Sequence, residues 1–188
     1  HHAEGILKQA EERAAELYGS EETHYLVNGS TSGILAAISG CTAAGGTVLL
    51  ARNSHKSAYH AVLLRGLHVH YIYPQPAGKM GINGPVTAEN VDRLLEEHPE
   101  TKMVYITSPT YDGVVSDVER IAEVVHRRKL PLIVDEAHGA HFPFSEQFPK
   151  DSVSCGADVV IHSVHKTLPS LTQTALIHLN GDLINRER

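Results

Sequence analysis

Lys166 stands in SVHKTLPS (163–170), immediately after DVVIH (158–162), a run that reads as a strand inside the protein. Desolvating a lysine costs free energy, so this one is either an ordinary loop lysine or an amine held in a pocket for its chemistry. Four other segments follow apolar runs in the same way: NGSTSG (28–33), RNSHKS (52–57), SPTYDG (108–113) and DEAHGAH (135–141). Each carries hydroxyls, amides or ionisable groups. In an open parallel sheet, ligands bind beyond the carboxyl ends of the strands, which is where all five segments fall.

NGSTSG opens a helix after a strand. Small residues there let backbone approach a ligand, and the first N–H groups with the helix dipole favour an anion. Ser30, Thr31 and Ser32 add hydroxyl donors, which makes a phosphate cup; a plainly capped helix start is the competing reading. No G-K-[ST] follows, so it is not a Walker A loop. Asp135 ends a buried strand, where a carboxylate needs a partner or takes up a proton. The candidates are a metal shared with His138 and His141, the cationic ring nitrogen of a cofactor, or the next turn of its own backbone. A DEAH helicase is excluded, because it needs a P-loop and a basic face. His55 begins a helix and is placed either to stack on a flat ring or simply to start that helix. Lys56 reads as an exposed neighbour. Thr110 is a turn residue or a donor to a ligand oxygen. Asp112-Gly113 is itself a turn signal.

An amine, a phosphate cup and a carboxylate at one sheet edge suit pyridoxal 5′-phosphate (PLP). That cofactor needs a lysine for its aldehyde, donors for its phosphate and an anion opposite its pyridine nitrogen. Ser163 and His165, flanking the lysine, add phosphate contacts.

These groups must be carried by regular elements. HYLV (24–27), TVLLA (47–51), HVHYIY (68–73), KMVYIT (102–107), LPLIVD (130–135), DVVIH (158–162) and TALIHL (174–179) predict seven strands. Their consecutive apolar positions suit strands covered on both faces. Helical patterns lie between them. Residues 4–18 place Ile6, Leu7, Ala10, Ala14 and Leu17 on one face, with Gly19 as a stop. Residues 32–44 are small and apolar, and 55–66 are amphipathic. Thr87 caps AENVDRLLEEH, and Ser116 with Glu119 forms a capping box ahead of RIAEVVHRR. The alternation predicts an α/β fold with a mostly parallel sheet and helices on both faces. PQPAGKMGINGPV (74–86) reads as a long surface loop.

The bulk numbers agree with one globular unit. The chain has 188 residues, 41% hydrophobic and 20% charged, enough for one sizeable core. A net charge of -6 argues against nucleic acid or an anionic membrane as partner. Two cysteines are too few for a disulfide framework, so a reducing cytoplasmic setting is expected. The charged, helix-like start is not a signal peptide, and no apolar run approaches the ~18 residues of a membrane span. The ending NGDLINRER follows a strand without a closing element, and residue 1 falls inside a helix-bearing segment, so an excised domain is expected.

As a set, HHAEGILKQAEERAAELYG, LVNGSTSG, ARNSHKS, SPTYDG, IVDEAHGAH and HSVHKTLPSLTQ, in this order over essentially the whole chain, resemble the bacterial Orn/Lys/Arg decarboxylases of PLP fold type I (aspartate aminotransferase-like). The resemblance implies that residues 1–188 are a PLP-binding large domain with a seven-stranded sheet whose last strand is antiparallel. It implies decarboxylation of lysine, arginine or ornithine, a carbon–carbon lyase activity of polyamine biosynthesis; an aminotransferase or aldolase reaction, or an inert core, are the alternatives. Lys166 matches the family's Schiff-base lysine, Asp135 the carboxylate facing the pyridine nitrogen, and His55 the stacked histidine. Ser30, Thr31, Ser163 and His165 match phosphate-side positions, and Ala137 and His138 positions close to the ring. Several members carry tryptophan where His138 stands. The resemblance also implies a C-terminal small domain beyond this chain, a homodimer or higher homo-oligomer that completes the site, and an amino acid as the small-molecule partner.

Overall fold

A computed structural model describes residues 3–78 and 81–186. The seven apolar runs form seven strands: β1 Glu22–Leu26, β2 Thr47–Ala51, β3 His68–Ile72, β4 Thr101–Thr107, β5 Leu132–Asp135, β6 Val159–Ser163 and β7 Ala175–Leu179. They make one sheet in the order β1-β7-β6-β5-β4-β2-β3. β7 runs antiparallel to β1 and β6; the pairs from β6 to β3 are parallel. Among the described residues α1 Ile6–Tyr18 precedes the sheet, and α2 Gly29–Cys41, α3 Lys56–Arg65, α4 Ala88–Glu97, α5 Val118–His126 and the single turn α6 Val164–Thr167 connect its strands.

The uninterrupted apolar runs have a direct cause. Side chains alternate across a strand, and here both faces are covered. Leu49, Val104, Ile106, Leu132 and Val134 join Val91, Leu95, Ile121 and Val125 of α4 and α5 in one core. Val48, Leu50, Met103, Tyr105, Ile133 and Ile161 join Ile34, Ile38, Ala58 and Ala61 of α2 and α3 in the other. Close approach on this second face depends on small residues. A Cβ on Gly33 would meet Leu26 Cδ1 at 2.5 Å. The same closeness corrects the expectation for α3, which buries Ser57, Ala58 and Ala61 and leaves Leu63 and Leu64 exposed.

Two further expectations are corrected. The helix α1 is rotated from the expected stripe: of the stripe's residues Ala14 is buried, with Ala15 and Tyr18 beside it, while Ile6 is 80% and Leu17 58% exposed. Tyr18 sets that rotation. Its hydroxyl donates to Ala140 O at 2.9 Å, and its ring packs 4.6 Å from His178 and 5.0 Å from His162. The cap of α5 is Asp117, whose Oδ1 accepts from Arg120 N at 3.1 Å, and not Ser116. The Ser116 hydroxyl accepts from Val86 N and its own N–H donates to Ser108 Oγ, so tertiary bonds outcompete the local box. Thr87 does cap α4, through Asn90 N, and Gly19 ends α1 in the left-handed conformation. Residues 79 and 80 of the 74–86 loop lie outside the described residues. After β7 the chain folds back on β1, where Arg186 pairs with Glu21 and Glu22.

Beneath α1 runs a buried polar chain. Glu136 Oε2 lies 2.8 Å from His162 Nε2, His162 Nδ1 2.9 Å from His178 Nε2, and His178 Nδ1 2.7 Å from Thr23 Oγ1. Ser152 donates its N–H and hydroxyl to Glu136 Oε1. Burial pushes the Glu136 carboxyl up to about 8, with Asp151 adding repulsion, and pushes both histidines below their usual range. One proton on Glu136 therefore satisfies the whole chain: carboxyl to His162, His162 to His178, His178 to Thr23.

Stability follows from where protons are bound. As pH falls below the usual histidine value of 6.5, the unfolded chain gains protons on two rings that the folded chain keeps neutral, so stability drops. As pH rises from there toward about 8, folded Glu136 keeps a proton that the unfolded carboxyl has already released, so stability drops again. The contribution peaks near neutrality and declines by at most about 1.4 kcal/mol per pH unit on the alkaline side. Glu136→Gln is expected to flatten that alkaline limb and to steepen the acid one, where the Glu136 proton opposes the two histidines above pH 4.5. Urea melts of both proteins from pH 5 to 9 check this, and parallel alkaline limbs would contradict it.

Candidate active site

Along the carboxyl ends of β2, β4, β5 and β6 lies a cavity of about 290 Å³, lined by Ser30, Asn53, His55, Thr107, Asp135 and Lys166, with Ile34, Ser54, Tyr111, Ala137 and His138 completing it. Parallel β4 and β5 end level, with Thr107 paired to Asp135, and β6 runs two residues past Ile161, the partner of Asp135, to Ser163. Register alone therefore delivers residues far apart in sequence to one place.

Asp135 is buried. Its Oδ1 accepts from Ala137 N and its Oδ2 from the Tyr105 hydroxyl, each at 3.2 Å. The Ala137 bond is the local turn contact expected of a structural aspartate, and it leaves the carboxylate facing the cavity. Burial raises the carboxyl above its usual range, against the pull of these two donors and of Lys166 and His55. His55 both starts a helix and lines the cavity. Its Nδ1 accepts from Ser57 N at 3.3 Å, which fixes the ring and places the ring proton on Nε2. Burial is the main force lowering the His55 and His138 pKa values, with the Lys166 charge adding to it. Lys166 is exposed, so these residues do not themselves supply the burial expected for its amine.

The phosphate-side residues are only partly gathered. Ser163 donates to Ser30 Oγ at 2.8 Å, which ties NGSTSG to SVHK across 133 positions. No side chain caps the start of α2, so its first N–H groups are not consumed by Asn28. Ser32 donates to Gly29 O, and Thr31 is exposed. His165 Nδ1 lies 3.1 Å from Thr174 O. Thr110 takes its turn role, accepting from Val114 N, and does not line the cavity. Asp135, His138 and His141 do not converge on one point. His138 packs edge-on to Tyr111, while His141 packs against Phe142 and Phe148. Among the described residues, the histidines and acids close enough to share an ion are His70, His98 and Glu100, which lie outside this cavity.

Asn53 and Thr107 are among the lining residues that escaped the sequence reading. Asn53 Oδ1 and Thr107 Oγ1 are buried without a hydrogen-bond partner among the described residues. Such groups cost about 1–3 kcal/mol each when left unsatisfied. The cavity itself offers a carboxylate, an imidazole and an amine, a set of groups that fits PLP. Its ring nitrogen suits Asp135, its flat face His55, and its aldehyde Lys166. No side-chain rule would have singled out Asn53 and Thr107, because their significance lies in what they fail to touch.

Comparison with known proteins agrees with this geometry. An uncharacterized protein YaaO of Bacillus subtilis is 43% identical over 189 residues, matching 100% of this chain and 39% of its own length. An arginine decarboxylase of Halalkalibacterium halodurans is 36% identical over 100% of this chain and 38% of its own length. The chain thus spans well under half of these relatives. Among solved structures, lysine decarboxylase A from Pseudomonas aeruginosa superposes with a TM-score of 0.83 at 26% identity, covering 94% of this chain and 26% of that one. The profile of the Orn/Lys/Arg decarboxylase major domain matches residues 1–188, and the chain belongs to that family.

Proposed function

We propose that this chain forms the PLP-binding core of an enzyme that decarboxylates a basic amino acid, lysine, arginine or ornithine, to the corresponding amine. One observation carries the reading: Lys166, Asp135 and His55, 111 positions apart at the extremes, line a single cavity at the sheet's carboxyl edge. When bound, PLP supplies an electron sink for the pair left on the α-carbon as CO₂ departs. The chain's own residues do the rest. Lys166 holds the cofactor covalently. Asp135 keeps its ring nitrogen cationic, and His55 supports its face. Ser30, held in place by the Ser163 hydroxyl, and the uncapped start of α2 hold its phosphate. Choice of substrate, the small domain and a second subunit belong to the same proposal, because the named decarboxylases are far longer than this chain. Placement in the cytoplasm also remains a proposal; among the described residues, no helix is long and apolar enough to cross a membrane.

The test is CO₂ release from lysine, arginine and ornithine by the intact protein with added PLP. Release from one of them, with PLP required, supports the reading. Amino transfer to a keto acid without CO₂ release would overturn it in favour of another reaction on the same scaffold.

A further inference from the structure

Tyr105 is fully buried on β4, packed in the core beneath α2 and α3. Phenylalanine would fill that space equally well. What tyrosine adds is a hydroxyl that must find a partner in an apolar interior, and its partner is Asp135 Oδ2 at 3.2 Å. β4 lies beside β5 with Tyr105 paired to Ile133, so the phenol reaches forward along its own strand's face to the carboxylate two residues beyond. Asp135 is thereby gripped from two sides, by Ala137 N on one oxygen and by Tyr105 on the other. Two donors on separate oxygens fix the plane of the carboxylate. They also favour the anion over the neutral acid, which could not accept both bonds as well.

From this geometry we infer that Tyr105 is a positioning residue, holding Asp135 as an oriented anion for the cationic nitrogen of the cofactor. The inference rests on the reading of the cavity given above. The charged and titratable groups facing Asp135 are Tyr105 from β4, Lys166 from α6 and His55 ahead of α3; His138, after β5, lines the same cavity. Of these, Tyr105 alone comes from the buried core and cannot be replaced by water. Its bond therefore opposes the rise that burial imposes on Asp135.

The experiment is Tyr105→Phe in the intact protein, with and without Asp135→Asn. The Asp135 carboxyl is followed by ¹³C NMR, and PLP affinity is measured across pH. Tyr105→Phe is expected to move the carboxyl titration to higher pH and to weaken PLP about tenfold, the scale of losing a hydrogen bond to a charged acceptor. The affinity loss should grow as pH falls. On the Asp135→Asn background, the same change should alter PLP affinity less than about twofold, since the two residues act through one contact. A carboxyl titration unmoved by Tyr105→Phe, or an equal affinity loss on both backgrounds, would overturn the inference. Absence of PLP uptake by the wild-type protein would instead sink the cofactor reading, while the carboxyl titration still decides whether Tyr105 governs Asp135.

Discussion

Lys166→Ala in the intact protein is expected to abolish the visible absorbance of lysine-bound PLP and to lower CO₂ release by ~10³-fold or more, the scale seen when a group that bonds to the reacting molecule is removed. Among the described residues, Lys166 is the lysine that lines the cavity. It follows β6, whose five residues are all buried and which is paired on both sides, so the amine rises from a rigid base. Lys56 is the informative control. It too is exposed, and it adjoins His55, yet it does not line the cavity. Exposure and general positive charge are thus matched between the two, and only placement differs. Lys56→Ala should keep its absorbance and lose less than about threefold in rate, as surface substitutions usually do. Borohydride trapping followed by peptide mapping locates the modified lysine. A visible band that survives in Lys166→Ala, or equal losses in the two variants, would remove Lys166 from the role.

How much of this was legible beforehand divides along physical lines. Strand positions were readable because a doubly covered sheet needs long apolar runs; TVLLA became β2 residue for residue. The convergence of Lys166, Asp135 and His55 was readable because parallel strands deliver their carboxyl ends to one edge. The antiparallel course of β7 came from family resemblance alone, since periodicity does not encode direction. Helix faces were less secure. The α1 stripe predicted an inward Leu17, but one tyrosine with a polar partner 122 positions away turned the helix instead. The α5 cap failed for a related reason, since Ser116 had better tertiary partners than its own helix. Tyr105 was hidden inside an apolar run, its partner 30 positions downstream. A tyrosine amid strand residues covered on both faces was nonetheless a usable signal, because its hydroxyl cannot remain unpaired. The Glu136–His162–His178 chain was likewise spread over three segments, and DEAHGAH drew notice for Asp135 and its histidines rather than for Glu136.

Asp135→Asn should separate binding from folding at a single residue. A carboxylate ~3 Å from a cationic ring nitrogen, at an effective dielectric of ~20, interacts by roughly 5 kcal/mol before desolvation is subtracted. If half survives, removing the charge weakens PLP by ~70-fold. The same burial that makes the carboxylate effective also makes it costly, and raises its pKa above the usual 3.8. A raised carboxyl pKa means that folding loses stability as pH climbs from the unfolded value through the folded one. Neutral asparagine escapes that loss, although its amide no longer accepts the Tyr105 hydroxyl where nitrogen replaces Oδ2. The variant is therefore expected to melt no lower than wild type at pH 7 while binding PLP far more weakly. Its PLP affinity should also lack the decline that the wild type shows as Asp135 protonates at acid pH. Absorbance titrations of PLP over pH 4 to 8, run beside thermal melts, supply both readouts. Unchanged affinity would refute the charge pairing, and a lower melting point with proportionate loss of PLP would mean that Asp135 acts mainly through the fold.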